Sequence, residues 1–310
     1  MSFPDPLGIV GTASDLARAG VARAVRLRVT GRRGTSVTVE GDAGWFGPDS
    51  VCWRVHADLA TVVGGLRALL YQTLHPLAMA GVAQHSDYRH DPWGRLHRTA
   101  DYIAATTYGT CAEAERAVAR VRHVHQHVNG VASDGRPYTA SDPELLAFVH
   151  ATEVDSFLAA YQRYAAGLTP DDADRYVAEM GFVARQLDAD PVPTTVAELR
   201  DVLARYELRA TPEARDALRF LMLPPMPLSV RPTYALIAGA AVELLPLHAQ
   251  LELRVVVPPP WGPLAVRPAL RGLLGTLRWA VGESPTLAAA RARADGTVPA
   301  FVGDPAAAER

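Results

Sequence analysis

The sequence predicts an all-α protein. Three observations carry that expectation: helix-capping signals recur from Asp49 nearly to the end of the chain, apolar residues between them repeat at helical spacing, and strand signals are sparse. The clearest strand candidate is Leu251–Val257, which runs into Pro258-Pro259-Pro260.

The elements follow in order. An Ala/Arg-rich helix over Ser14–Arg26 leads to Val37-Thr38-Val39, and Gly41, Gly44, Gly47 and Pro48 break the chain there. Residues 1–45 thus read as an N-terminal arm and helix, 46–295 as a single all-helical domain, and 296–310 as a disordered tail. Asp49 or Ser50 caps a helix reaching about Leu74, where His75-Pro76 stops it. Asp91-Pro92 opens the next, with Arg95, Leu96, Thr99, Tyr102, Ile103 and Thr106 at helical spacing and Gly109 at its close. Thr110-Cys-Ala-Glu113 and Ser141-Asp-Pro-Glu144 are capping boxes, because a hydroxyl three residues before a Glu satisfies first-turn amides reciprocally. Thr169-Pro170, Thr195 with Glu198, and Thr211-Pro212 start three more helices. Further helices fall around Thr233–Leu247, Pro268–Val281 and Pro285–Ala294.

Composition bounds the function. With 310 residues, 49% of them hydrophobic, the chain can bury a large core. A formal net charge of −2 lacks the basic excess of a nucleic-acid binder. All 31 Lys+Arg residues are Arg, so Schiff-base chemistry and a phosphate-loop lysine are excluded for this chain. Two cysteines, Cys52 and Cys111, and no evident apolar leader point to a reducing cytoplasm. No window is long and apolar enough to span a membrane. Arg267, Arg271 and Arg278 back the apolar Leu270, Leu273, Leu277 and Val281, a pattern suited either to a helix lying on a membrane surface or to one packed on the core with its arginines in solvent.

Nine of the ten histidines lie between His56 and His150, and imidazole is both a metal ligand and an acid/base near neutral pH. His125 falls on the apolar stripe Ala114, Ala117, Val121, Val124, Val128, opposite His123 and His127, which read as solvated surface. His150 sits in the apolar run Leu145–His150 and needs a partner for at least one ring nitrogen if buried. His75 and His85 stand at helix ends, as caps or ligands; His90 and His97 read as exposed. Arg95, Arg98 and Thr99 share a helical face, forming either a carboxylate clamp or a solvated basic face. No Glu-x-x-His, no Gly-x-Gly-x-x-Gly and no Gly-x-Ser-x-Gly occurs, so a di-iron bundle, a dinucleotide site and a serine-hydrolase elbow lack their signatures.

The order Gly47-Pro-Asp-Ser50, Gln72-x-x-His75-Pro76, Gly81-Val82, His85-Ser86, Asp91-Pro92, Arg95-Leu96-x-Arg98-Thr99, Tyr108-Gly109, His125-x-x-Val128-x-Gly130 and His150-Ala-Thr152 resembles the family containing rubber oxygenase (latex-clearing protein) and the mycophenolic-acid pathway oxygenase, over roughly residues 45–250. The resemblance implies a globin-like helical core around one haem b, with dioxygen as co-substrate. It carries over His125 as the proximal iron ligand, and Arg95, Arg98 and Thr99 as the charged helix of the haem pocket. His75, His85 and His150 belong to the same pattern, one of them as second axial ligand or its partner. Two positions depart from the rubber-oxygenase branch: Arg98 stands where that branch has lysine, and no acidic residue stands near Met79. The implied activity is a haem-dependent oxygenase or oxidase of bacterial degradation or secondary metabolism, acting on a small apolar, unsaturated or isoprenoid-like substrate. Its electrons would come from an external donor, or the reaction would be a dioxygenation needing none. The competing expectation is a bis-histidine haem-binding or sensing protein.

Overall fold

A computed structural model describes residues 37–257 and 260–295. The helix expected over Ser14–Arg26, the tail from Gly296 and the pair Pro258-Pro259 lie outside these residues.

Among the described residues the protein is all-α apart from one short hairpin. The helix expected from Asp49 to Leu74 is two helices, α1 (Val51–Ala57) and α2 (Thr61–Gln72). Asp58 makes the break: its Oδ1 accepts from Ala60 N–H at 2.7 Å, and its carboxylate also receives Arg278 through Nε and Nη2 at 2.9 and 2.7 Å. Ser50 does not cap α1, since its hydroxyl donates to Gly47 O. The buried carboxylate of Glu179 instead accepts from the Val51 and Cys52 amides at 3.1 and 2.7 Å.

Next come α3 (Pro76–His85), α4 (Pro92–Tyr108) and α5 (Cys111–His125); α5 opens with the full Thr110/Glu113 capping box. The antiparallel pair β1 (Asn129–Val131) and β2 (Pro137–Thr139) follows, with Gly130 opposite Tyr138. It leads to the long central helix α6 (Pro143–Tyr164), capped by Asp142 rather than Ser141. Thr169, Thr195 and Thr211 cap α7 (Pro170–Arg185), α8 (Val196–Ala204) and α9 (Pro212–Met222) as their side chains predict. The last helices are α10 (Arg231–Leu244), α11 (Leu247–Leu253), α12 (Arg267–Val281), entered through a π-helical turn at Gly262–Val266, and α13 (Pro285–Ala294).

The expected strand Leu251–Val257 is absent. α11 runs through its first three residues, Arg254 ends that helix at φ 55°, and Val255 and Val257 pack into the core as single side chains with no strand beside them among the described residues.

Helix α6 is the axis. Along one side it meets α2 so closely that a Cβ on Gly64 would lie 2.7 Å from Phe157 Cδ1. Buried Arg67 crosses this seam, donating to Leu244 O, Ser156 Oγ and Asp155 Oδ2 at 2.9, 2.6 and 2.7 Å. One core cluster joins Phe46, Trp53, Phe157, Tyr176 and Leu199; a second joins Leu70, Leu74, Ala241 and Leu270 beneath the C-terminal helices.

The three arginines of α12 each bond another part of the protein. Arg267 pairs with Glu243, Arg278 with Asp58, and Arg271 donates to Arg163 O at 3.0 Å. At the far end, Arg293 of α13 is buried and donates to the carbonyls of Thr38, Asp42 and Tyr108, clasping the N-terminal segment against the end of α4.

Candidate functional site

The expected site residues divide into those that frame the fold and those left with unused bonding capacity. His75 is the N-cap of α3: its Nδ1 accepts from Ala78 N–H at 3.3 Å. Its ring lies against Phe148 and Tyr206, with centroids 4.6 and 5.7 Å away. Burial, reinforced by Arg136, lowers its pKa to about 4, which keeps the imidazole neutral. His85, exposed at the other end of α3, donates from Nε2 to Asn129 O at 3.0 Å and so ties α3 to β1.

His125 ends α5. It lies on the inner stripe with Ala114, Val118 and Val121, whereas Val124, placed on that stripe by the sequence, is 51% exposed. Its ring bonds no described residue and lines a cleft of about 80 Å³ with Arg122, Ser141, Leu146 and Asp188. An Arg122–Asp188 ion pair flanks that cleft. Burial lowers the His125 pKa.

His150 lies one helical turn beyond Leu146 on α6, on the same face. Its Nε2 has neither solvent nor partner. Burial, with Arg185 adding its charge, lowers its pKa to about 4. A neutral imidazole with a free, shielded nitrogen is a competent metal ligand. Arg185, at the end of α7, has a buried Nε without a partner.

The Arg95, Arg98 and Thr99 face splits. Arg95 is half-buried, donates to Ser86 Oγ at 3.3 Å and meets no carboxylate among the described residues. Burial lowers its pKa, so this cation lacks its usual compensation. Arg98 and Thr99 are exposed; Arg98 approaches Asp91 at 3.4 Å and Thr99 Oγ1 donates to Arg95 O at 3.2 Å. His123, His127 and His90 are exposed as read, but His97 is half-buried.

Three further groups lie on the same side of α6. Glu153 follows His150 by one turn; burial raises its carboxyl to about 7, and no described residue bonds it. The Tyr102 hydroxyl, on α4, is shielded and unpartnered, and feels the charge of Glu153. His56 is the contrast: its Nδ1 bonds Thr107 Oγ1 at 2.9 Å and its Nε2 bonds Tyr176 Oη at 3.0 Å, so both nitrogens are satisfied. His150 and Glu153 are both half-buried. The signal for Glu153 was an acid at i+3 from His150 inside an otherwise apolar run; Arg185 left no local signal.

Among the described residues no three His, Cys, Asp or Glu side chains stand together as a metal site. One or two free imidazoles suffice for an iron whose remaining ligands come from a macrocycle.

The family described as ER-bound oxygenase mpaB/B'/Rubber oxygenase, catalytic domain, matches this chain over residues 53–279. No curated protein and no solved structure matches it.

Proposed function

The chain belongs to this family of oxygenase catalytic domains, and from that premise we propose that it is a haem b-dependent oxygenase acting on a small, largely apolar substrate with dioxygen. The observation that carries the haem assignment is the shielded, unpartnered Nε2 of His150, one helical turn from the cleft lined by His125. Buried polar atoms are almost always bonded, and an orphan of this kind calls for a ligand.

In this reading His125 would hold the haem iron, and His150 would be a second ligand to it or a partner beside it. Arg95 and Arg185, half-buried cations without carboxylate partners, supply the counter-charges that haem propionates need. Arg98 and Thr99 stand at the outer rim of the same helix. His75 and His85 hold α3 in place beside the pocket. A haem bound here supplies the redox chemistry of dioxygen activation. The protein holds the imidazoles neutral, encloses the pocket and excludes bulk water. Electrons come from an external donor, or the reaction is a dioxygenation that needs none.

A second reading has one observation in its favour. Two unbonded imidazoles, His125 at the end of α5 and His150 on α6, one turn from the cleft that His125 lines, could both hold the iron, giving a haem-binding protein that does not turn over. The experiment is haem quantification and visible spectroscopy of protein from haem-supplemented cells, with His125→Ala and His150→Ala beside it. The expected result is about one haem per chain, lost in His125→Ala. Low-spin iron that exchanges no ligand, becoming high-spin in His150→Ala, would favour the carrier. Colourless wild-type protein that takes up no haemin would end the haem assignment.

A further inference from the structure

We infer that His123 and His127 form a two-imidazole site for a transition-metal cation of the copper(II), nickel(II) and zinc(II) class, on the side of α5 opposite His125. The inference does not rest on the oxygenase reading.

The spacing is the first observation. Residues four apart on a helix stand one turn apart on the same face, and His123 lies in the last turn of α5 with His127 just beyond its end. Both side chains are exposed, and their rings meet edge-on, with centres 4.9 Å apart and planes at 62°. Two imidazoles bound side by side to one ion, through nitrogens about 2.0–2.1 Å from it, have ring centres about 4.5–5.2 Å apart. The observed separation already lies in that range, so taking up an ion needs ring rotation and no shift of the backbone.

The second observation fixes which atom binds. His127 Nδ1 lies 2.8 Å from His123 O, and a carbonyl only accepts, so Nδ1 carries the proton. The lone pair of the neutral ring then sits on Nε2. Donation from the other ring nitrogen to a backbone carbonyl is the usual support of a histidine that ligates metal. The His123 ring nitrogens hydrogen-bond no described residue.

The electrostatics admit a cation. The carbonyl end of a helix attracts positive charge, and Arg122, in the same turn, is spent on Asp188. Arg120 and Arg116, one and two turns earlier on this side, are exposed, so solvent and salt screen their repulsion of the ion. His125 turns instead to the inner cleft, which puts this ion and any group held by His125 on opposite sides of α5. Imidazole suits copper, nickel and zinc, whereas magnesium takes oxygen ligands; with two protein nitrogens and water as the remaining ligands, copper(II) binds most tightly.

The test uses the untagged protein as purified, titrated calorimetrically with copper(II), zinc(II) and magnesium chlorides, with haem content recorded. Wild type stands beside His123→Ala, His127→Ala and His125→Ala. The expected result is one site per chain whose affinity falls about a hundredfold in His123→Ala and in His127→Ala, the factor a second tethered ligand adds. His125→Ala should keep the site, copper(II) should bind more tightly than zinc(II), and magnesium should not bind. Electron paramagnetic resonance of the copper(II) form should show two coordinated nitrogens in wild type and fewer in each of those two variants. Unchanged affinity in both, loss in His125→Ala instead, or no bound copper(II) would each overturn the site. A site that behaves as expected in protein that takes up no haem would support this inference while refuting the cofactor assignment; haem-loaded protein with no copper(II) site would do the reverse.

Discussion

Removing the Glu179 carboxylate should unseat α1. Its two oxygens are the acceptors for the first amides of that helix, at 3.1 and 2.7 Å, and the side chain has no exposed surface. In Glu179→Ala both N–H groups remain buried without an acceptor, at about 1–3 kcal/mol each, and the vacated volume adds to the loss. Arg175, the third partner, is 47% exposed, so freeing it into water adds little. The expected total is about 2–5 kcal/mol. At about 2 °C per kcal/mol for a chain of this length, Tm falls by roughly 4–10 °C. Glu179→Gln keeps one acceptor oxygen and should lose about half as much. Urea denaturation followed by far-UV circular dichroism, with thermal melts at pH 7, measures both variants. If Glu179→Ala lies within about 0.5 kcal/mol of wild type, the amides find other acceptors and the assignment of a side-chain cap from α7 is wrong.

Acid should destabilise the protein between about pH 6.5 and pH 4. His56, His75 and His150 titrate near 4 in the fold because burial disfavours their charged forms, against 6.5 when unfolded. A depressed histidine contributes stability that is complete above the unfolded value and lost as pH falls through the folded one. Glu153 has the opposite sign: its carboxyl, raised to about 7 from 4.5, binds its proton in the fold and loses it on unfolding over most of that range. Three protons taken up and one released on unfolding leave a net of two, a slope of about 3 kcal/mol per pH unit near pH 5. Chemical denaturation across pH 4–7 measures it, and Glu153→Gln should steepen it; a flat profile would contradict the burial of these rings. Gly64→Ala should cost about 1–3 kcal/mol, because the added methyl meets Phe157 Cδ1 at 2.7 Å and backbone at 3.0 Å. Near-native stability of that variant would show that α2 and α6 can separate at little cost.

The parts of the fold legible in the sequence are those decided locally. Thr110, Thr169, Thr195 and Thr211 cap the helices they precede because a hydroxyl acts on an amide three residues away. The turn at Asp58 was hidden because Arg278, 220 residues further on, helps hold it. Val255 and Val257 carry strand propensity, but no strand lies beside them among the described residues, and the strands of the hairpin at residues 129–139 are too short to show alternation. The site divides the same way. His150 stood out as the one imidazole in an apolar run, and His125 as one on an inner stripe. The separation of Arg95 from Arg98 and Thr99 depends on which side of α4 meets protein, and the surroundings of Tyr102, Glu153 and Arg185 depend on what α4, α6 and α7 bring together.

The clasp made by Arg293 also bears on how the chain is made. Its guanidinium holds the carbonyls of Thr38, Asp42 and Tyr108, residues synthesised 255 to 185 positions earlier. Vectorial synthesis delivers α1 and α4 first, but the segment before α1 receives its bonds from Arg293 only after α13 has left the ribosome. The order of emergence and the order of closure are therefore reversed at this seam: the segment from residue 37 to the start of α1 can bond Cys111 and Glu113 early, but its last fastening waits for nearly the whole domain to be made.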